Sequence, residues 1–369
     1  MKVKCRQKDL AFALHLVNRA VSPNTTLPVL NNILIKAKGK RLYFSATNLE
    51  VAMTYFMDVE VFNEGAITIP AKLITNYVSL LNDDEVEIKL EEGLNLSIKT
   101  PLSHTKIKGI DHNEFPIIPE VDKGTQFVVD SGIFETAISQ TGFAASTNVS
   151  RPVLTGLLLR LDKENLSMVA TDSYRLSEKM ISLKKGVEEV VDCIVPSKTI
   201  MELGKILSSF EEKEVNCQVT KNQILFSIGN LRIISRLIDG SFPDYKKIIP
   251  TSSKTRVKIG VQEFILAVRK VSLFVQETNN NIKVSVTNNG KLIVSTDETQ
   301  IGEGTAEVDV EIEGENNKIA LNAQYLLDAL AHIKDESIEF LLDNKLSPVT
   351  ITPVKKEAKF THIIMPLKL

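Results

Sequence analysis

The sequence predicts an α+β protein made of three tandem copies of one unit, each a pair of helices laid on an antiparallel sheet. Self-similarity at a fixed period is the first sign. The segments LPVLNNILIKAKGKRLYFSATNLE from Leu27, RPVLTGLLLRLDKENLSMVATDSYRL from Arg151 and NNIKVSVTNNGKLIVSTDETQ from Asn280 each read as strand, polar turn and strand. Their threonines, Thr47, Thr171 and Thr296, are spaced 124 and 125 apart, and the turn centres Gly39, Glu164 and Asn289 are spaced 125 and 125. A second marker set has the same period. ITIPAKLITNYVSLL, CIVPSKTIMELGKIL and IALNAQYLLDALAHI are each a short strand running into an amphipathic helix, with Pro70, Pro196 and Asn322 at the helix starts, 126 apart both times. Proline suits a first helical position and asparagine an N-cap.

Each copy opens with a helix, over 8–21, 131–146 and 261–276. In the third, Phe264, Val268, Val271 and Val275 fall on one face at helical spacing. A hairpin follows. Around Asn289-Gly290, Ile282, Val284, Val286, Leu292 and Val294 alternate with polar residues, and Asn-Gly is a strong hairpin signal. The second helix is expected over 70–81, 196–209 and 322–334. Alternating strands come after it, such as 85–90 with 94–99 and 216–220 with 223–228. Proline, glycine, serine and charge cluster near Pro119–Gly124 and Pro250–Lys254. The expected units are therefore 1–121, 122–251 and 252–369.

Composition bounds the function. At about 100–200 residues per domain, 369 residues with 43% hydrophobic content allow two to four domains. A net charge of −2 argues against a nucleic-acid binder that works by bulk charge. Cys5, Cys193 and Cys217 are odd in number and far apart, which points to a reducing compartment. No apolar run approaches the ~18 residues of a membrane span, and MKVKCRQKDL has no apolar signal core. The expected location is the cytoplasm.

The search for catalytic chemistry is empty. There is no G-x-x-x-x-G-K-S/T loop and no H-E-x-x-H. Gly302-Glu303-Gly304 reads as a turn, and the five histidines lack metal-ligand spacing. Ser182-Leu183-Lys184-Lys185 fits S-x-x-K, but without S-D-N or K-T-G. Asp83-Asp84-Glu85 reads as a solvated turn. Asn48, Asp172 and Asp297 recur at equivalent positions of the copies, which fits a structural turn rather than a catalytic carboxylate. No cofactor, metal or catalytic residue is expected.

Three further segments, ATDSYRL (Ala170–Leu176), SFPDYKKIIP (Ser241–Pro250) and HIIMPLKL (His362–Leu369), carry a resemblance. Together with LPVL near Leu27, VPSK near Pro196 and PVL near Pro152, they resemble the bacterial replicative sliding clamp, the beta subunit of DNA polymerase III. The likeness spans the chain. It implies the DNA clamp fold, with a homodimer closing a pseudo-sixfold ring around duplex DNA, helices inside and sheets outside. It also implies a non-catalytic processivity factor. The implied partners are the polymerase catalytic subunit, the clamp loader and other proteins carrying clamp-binding peptides, with no membrane. Ring closure would remove the exposed sheet edges of the first and third units. The six predicted helices carry +1, +1, −1, +1, +1 and 0, a net +3 against −5 for the rest. Such a bias suits weak, base-independent phosphate contact.

The resemblance implies DNA contacts at Lys72, Lys198, Lys205 and Arg151, and in the loops 22–26 and 146–152, including Asn24 and Asn148. The chain has Asn24 where family members can carry a basic residue, and Pro152 and Val153 where they can carry aromatics. It implies a peptide pocket between the second and third units. The second unit would supply Leu154, Thr171, Ser173, Tyr174, Arg175, Leu176, Pro243, Lys247 and Ile248. The third would supply Asn322, Tyr325, Ser347, Ile363, Ile364, Met365, Pro366 and Leu367. Leu273 and Phe274, apolar at the end of the third early helix, are expected at the dimer interface. Two other readings stay open at this point: an interaction scaffold that does not encircle DNA, and a hydrolase with a split site.

Overall fold

The computed structural model describes residues 1–22, 27–121, 123–275, 280–298 and 300–368. The first copy runs β1 (Lys2–Arg6), α1 (Gln7–Asn18), β2 (Asn32–Lys38), β3 (Arg41–Thr47), β4 (Val51–Asp58), β5 (Glu60–Asn63), β6 (Gly65–Pro70), α2 (Ala71–Ser79), β7 (Glu85–Glu91), β8 (Asn95–Lys99) and β9 (His104–Lys108). The second runs β10 (Thr125–Asp130), α3 (Ser131–Gly142), β11 (Gly156–Asp162), β12 (Asn165–Thr171), β13 (Arg175–Ser182), β14 (Val191–Pro196), α4 (Ser197–Leu207), β15 (Glu214–Val219), β16 (Gln223–Ile228) and β17 (Leu231–Arg236). The third runs β18 (Thr255–Gly260), α5 (Val261–Ser272), β19 (Asn281–Thr287), β20 (Lys291–Ser295), β21 (Thr305–Asp309), β22 (Glu311–Gly314), β23 (Asn317–Asn322), α6 (Ala323–Ala331), β24 (Ser337–Leu342), β25 (Val349–Pro353) and β26 (Phe360–Ile364).

The expectation of one sheet per copy needs correction. Each copy divides its strands between two half-sheets, and half-sheets of successive copies fuse edge to edge. β4 pairs antiparallel with β17, from Leu231↔Tyr55 to Ser235↔Val51. β13 pairs with β26, from Arg175↔Ile364 to Lys179↔Phe360. The sheets are therefore β5-β1-β7-β8-β9, then β10-β15-β16-β17-β4-β3-β2-β6, then β14-β11-β12-β13-β26-β25-β24-β18-β22, then β21-β20-β19-β23. Fusion satisfies backbone groups that a free edge would leave to water.

By contact, the chain forms two compact bodies, 1–131 with 205–237 and 132–204 with 238–369. The cut falls inside the second copy, because each of its half-sheets belongs to a different neighbour's sheet. Sequence period counts copies of the chain path. Packing counts sheets.

All six expected helices form, and each is shorter at its C-terminal end than the apolar pattern suggested. The pattern continues because the chain tightens into i→i−3 bonds: Ala20 N–H to Val17, Leu81 to Val78, Ala144 to Thr141, Ser209 to Ile206, Val275 to Ser272 and His332 to Ala329. Ala20, Leu81, Ala144 and Val275 stay buried in these turns. Gln276, the expected end of the third early helix, lies outside the described residues. Phe264, Val268, Val271 and Val275 are at most 1% exposed, as their spacing required.

Pro70 and Pro196 end strands rather than begin helices. Pro70, with ψ 113°, is the N-cap of α2, and α4 starts at Ser197. Asn322 caps α6 as expected, its side chain accepting from the N–H groups of Gln324 and Tyr325. The Asn-Gly hairpin joins β19 to β20 with Thr287 opposite Lys291. Its three-residue loop ends on Gly290 at φ +79°, a conformation that favours glycine.

Candidate functional site

Between β12 and β13 the chain turns over Thr171–Arg175. Thr171 Oγ1 donates to the Arg175 carbonyl at 2.6 Å and accepts from the Ser173 N–H at 3.2 Å. Asp172 Oδ1 accepts from the N–H groups of Tyr174 and Arg175 at 2.9 and 3.0 Å. Ser173 is held at φ +80°.

The first copy builds the same turn from different residues. Thr47 Oγ1 donates to the Val51 carbonyl at 2.8 Å and accepts from Leu49 N–H at 3.0 Å. Asn48 Oδ1 accepts from Glu50 and Val51 N–H at 3.0 and 2.8 Å. Asn48 and Asp172 are thus turn-forming residues, as their recurrence suggested. The third copy departs from this. Thr296 exchanges bonds with Gly304, and Asp297 pairs with Lys283.

Arg175 converts the turn of the second copy into a site. Its Nε donates to Asp172 Oδ2 at 3.0 Å, its Nη1 to Asp328 Oδ2 of α6 at 2.5 Å and its Nη2 to the Phe143 carbonyl at 3.0 Å. The guanidinium also lies 4.6 Å from the Tyr325 ring centroid and 5.5 Å from that of Phe143. The side chain is 11% exposed. A planar, always-charged fork suits such a place, since it meets carboxylates with its edges and rings with its face.

Tyr174, 61% exposed, stacks on Tyr325 at 6.5 Å between centroids. These groups wall a cavity of about 540 Å³ that also takes in Asn148, Arg151, Leu154 and Ser173. Arg151 Nη1 donates to Ser173 Oγ at 3.3 Å. Residues expected in two places, the DNA loop and the peptide pocket, therefore share one cavity.

The other expected pocket residues lie outside its lining. Leu176 and Ile363 are buried in one apolar cluster with Leu158, Val169, Ile194 and Tyr245. Thr171 is buried beneath the turn, and Ile364 is in the core of the third copy. Pro243, Lys247 and Ile248 are on the segment carrying Tyr245. Ile248 is 41% exposed, and Lys247 pairs with Asp244 at 2.9 Å. Ser347 closes its own turn with Asp343 and Asn344. Met365 N–H donates to the Tyr174 carbonyl at 2.8 Å, and Leu367 N–H to Ala320 at 2.8 Å, so this segment, with Pro366 between, runs beside the turn.

Of the DNA candidates, Lys72 is exposed on α2, and Lys198 and Lys205 are exposed on α4. Asn148, Arg151 and Pro152 are exposed, whereas Val153 packs against the Tyr245 cluster. Asn24 lies outside the described residues. Leu273 is 64% exposed. Phe274 sits with its ring against Gly302 and Gly304, just before β21.

Behind Arg175, His362 is fully buried, its Nδ1 2.6 Å from Ser177 Oγ. Burial, with Arg175 and His332 adding repulsion, pushes its pKa down from 6.5 to about 3. The imidazole is a neutral structural group. The Cys193 thiol, buried beside Asp192, is pushed up to about 12, which makes it inert.

Family models of the DNA polymerase III beta subunit match residues 1–119 (N-terminal domain), 128–244 (central domain) and 246–368 (C-terminal domain). The chain belongs to this family. The beta sliding clamp of Staphylococcus epidermidis is 30% identical over 359 residues, 95% of this chain and 94% of that one. A crystal structure of the DNA polymerase sliding clamp from Bacillus subtilis matches with a TM-score of 0.95 at 28% identity, covering 100% of this chain and 99% of that one. A DnaN sliding clamp from Pseudomonas aeruginosa bound to griselimycin matches with a TM-score of 0.95 at 28% identity over 100% of both chains.

The function is that of a sliding clamp, a DNA-encircling processivity factor without chemistry of its own. The scaffold and hydrolase readings are set aside. Sequence reasoning missed Asp328 and Phe143, which hold Arg175. Their separations of 153 and 32 residues leave no local pattern.

Proposed function

We propose that two copies of this chain close head to tail into a pseudo-sixfold ring around duplex DNA. The observation that supports it is the rule by which successive copies join. β4 of the first copy pairs with β17, the last strand of the second, and β13 of the second pairs with β26, the last strand of the third. The counterparts that this rule leaves over are β21 and β9, and each stands at the edge of its sheet. Pairing β21 of one chain with β9 of another repeats the rule and joins a four-stranded to a five-stranded sheet. It does so twice in a dimer, which closes the ring.

Charge favours the pairing, since β9 carries His104, Lys106 and Lys108, and β21 carries Glu307 and Asp309. Leu273 and Phe274 lie beside β21 and belong to the same interface. Lys72, Lys198, Lys205 and Arg151 would meet phosphates without reading bases, with Asn24, Asn148, Pro152 and Val153 in the adjoining loops. The cavity walled by Tyr174, Arg175 and Tyr325 would take the anchor of a short peptide. The polymerase catalytic subunit, the clamp loader and other peptide-bearing partners would compete for it in the cytoplasm.

The ring is tested by loading the protein onto nicked circular DNA and then linearising it. Retention on the circle with loss from the linear form is expected. Retention on linear DNA without end blocks would overturn encirclement. Leu273→Ala with Phe274→Ala is expected to yield a folded monomer by sizing chromatography. A folded dimer would rule out this interface.

A further inference from the structure

The eight-stranded sheet has a second face, remote in sequence from the Tyr174–Tyr325 cavity. Along its strands Ile33, Ile35, Phe44, Ile67, Phe226 and Ile233 are fully buried on one side. The alternating positions reach the opposite side, where a half-solvated antiparallel sheet normally turns polar. Here Leu34, Tyr43, Ala52, Ala66, Leu225 and Ile234 are interleaved with Lys36, Ser45, Thr54 and Arg232. The segment from Phe115 to Val121 crosses this face. Phe115 and Ile118 pack down with Val29, Leu30 and Ile110, while Ile117 is 95% exposed. Between segment and sheet lies a cavity of about 550 Å³. A smaller one of about 100 Å³ shares Ala52, Pro116–Pro119 and Ile234 and continues the groove to the Thr47–Val51 turn, where Leu49 is 47% exposed.

Three cations border the groove: Lys36 and Arg232 on the larger cavity and Arg236 on the smaller. None has an ion-pair partner among the described residues. The equivalent segment in the second body carries a large side chain onto the sheet. There Tyr245, 4% exposed, donates its hydroxyl to Glu178 at 2.7 Å.

We propose that this groove docks an extended peptide of a partner protein, one with apolar anchors flanked by carboxylates. It would be a docking site on the first body, distinct from the Tyr174–Tyr325 cavity. The apolar floor takes the anchors, and the unpaired cations take the acidic flanks. Duplex DNA fits less well, because a row of phosphates would have to lie along the apolar residues between the three cations.

The test uses the full chain and a phage-displayed library of random dodecapeptides. Selected peptides are sorted on three folded variants, Tyr174→Ala, Arg232→Glu/Arg236→Glu and Ile117→Asp, with far-UV circular dichroism as the folding control. The expected result is a class rich in apolar and acidic residues that keeps its affinity for Tyr174→Ala. Its Kd should rise at least tenfold on Arg232→Glu/Arg236→Glu and on Ile117→Asp. Peptides lost only in Tyr174→Ala would report the other cavity and leave this groove without a ligand, overturning the proposal. So would an empty selection, or a single-stranded oligonucleotide that binds through Arg232 and Arg236 while no selected peptide does.

Discussion

The turns at Thr47–Val51 and Thr171–Arg175 share a backbone and differ in what their last residue does. Both use a threonine hydroxyl and an Asn amide or Asp carboxylate oxygen to satisfy the turn's N–H groups, and both hold their third residue at positive φ, +74° for Leu49 and +80° for Ser173. In the first the last residue is Val51, buried at 9% exposure. In the second it is Arg175, tied to Asp172, Asp328 and Phe143. Repetition supplied a common backbone, and a single charged residue ties one copy of it into the wall of a cavity. The linkers that follow differ in the complementary sense. Tyr245 packs into an apolar cluster in the second body, whereas the Phe115–Val121 segment borders a groove in the first.

The largest expected effect follows from Arg175. Arg175→Ala leaves Asp172 and Asp328, with side chains 15% and 28% exposed, without their counter-ion. Breaking a buried pair from one side costs about 3–5 kcal/mol. Partial exposure puts this site near 3 kcal/mol, read by urea denaturation, together with loss of peptide binding at the cavity. A loss under 1 kcal/mol would mean that Arg175 is solvated and that the two turns differ less than their geometry implies.

The comparison sharpens when the same position is removed from both turns. Asn48→Ala deletes a neutral turn-forming acceptor and should cost about 1 kcal/mol. Asp172→Ala deletes the same acceptor and one of the two carboxylates on Arg175, and should cost about 2–3 kcal/mol. Equal losses in urea denaturation would show that Arg175 draws its support from Asp328 and Phe143 alone.

Much of this was legible in the sequence, and the illegible part has a common cause. The period, the helix faces, the strand pairs within a copy and the turn residues of the first two copies are local patterns with fixed spacing, and they form as read; the turn at Asp297 does not. The pairing of β13 with β26 joins residues about 180 apart. The Arg175–Asp328 contact spans 153. Such partners leave no periodic trace, so the fused sheets and the shared cavity of Asn148, Arg151 and Tyr174 emerge only in three dimensions. Of the residues that the family likeness implied, Leu154, Ser173, Tyr174, Arg175 and Tyr325 line one cavity, and Pro243, Asn322 and Ser347 lie outside that lining.

A smaller effect separates the turns by pH. Only the second has a buried histidine at its back. His362 has a native pKa of about 3 against 6.5 when free. Below pH 6.5 the unfolded chain binds a proton that the native chain refuses, so unfolding gains on acidification. The contribution is complete above pH 6.5 and is lost as pH falls from there towards 3, at about 1.4 kcal/mol per pH unit. Urea denaturation at pH 7.5 and 5.5 should show this slope in the native protein and a smaller one in His362→Gln. Identical slopes would place His362 in a wetter environment than its burial indicates.

The smallest effect tests the backbone that the turns share. Leu49 and Ser173 both occupy the left-handed region, which costs an ordinary residue about 1–2 kcal/mol relative to glycine. Glycine also loses more freedom on folding, so Leu49→Gly should stabilise by about 0.5 kcal/mol, since Leu49 is half exposed and gives up little packing. Ser173→Gly relieves the same strain and in addition frees Arg151, whose Nη1 donates to Ser173 Oγ. Its gain should be smaller by the worth of one exposed hydrogen bond, a few tenths of a kcal/mol, and Arg151 should then be free to respond to added DNA. Thermal unfolding of the two variants side by side measures the difference. If Ser173→Gly destabilises by 1 kcal/mol or more while Leu49→Gly stabilises, Ser173 and Arg151 are part of the framework holding the cavity open, and the two turns differ in construction as well as in use.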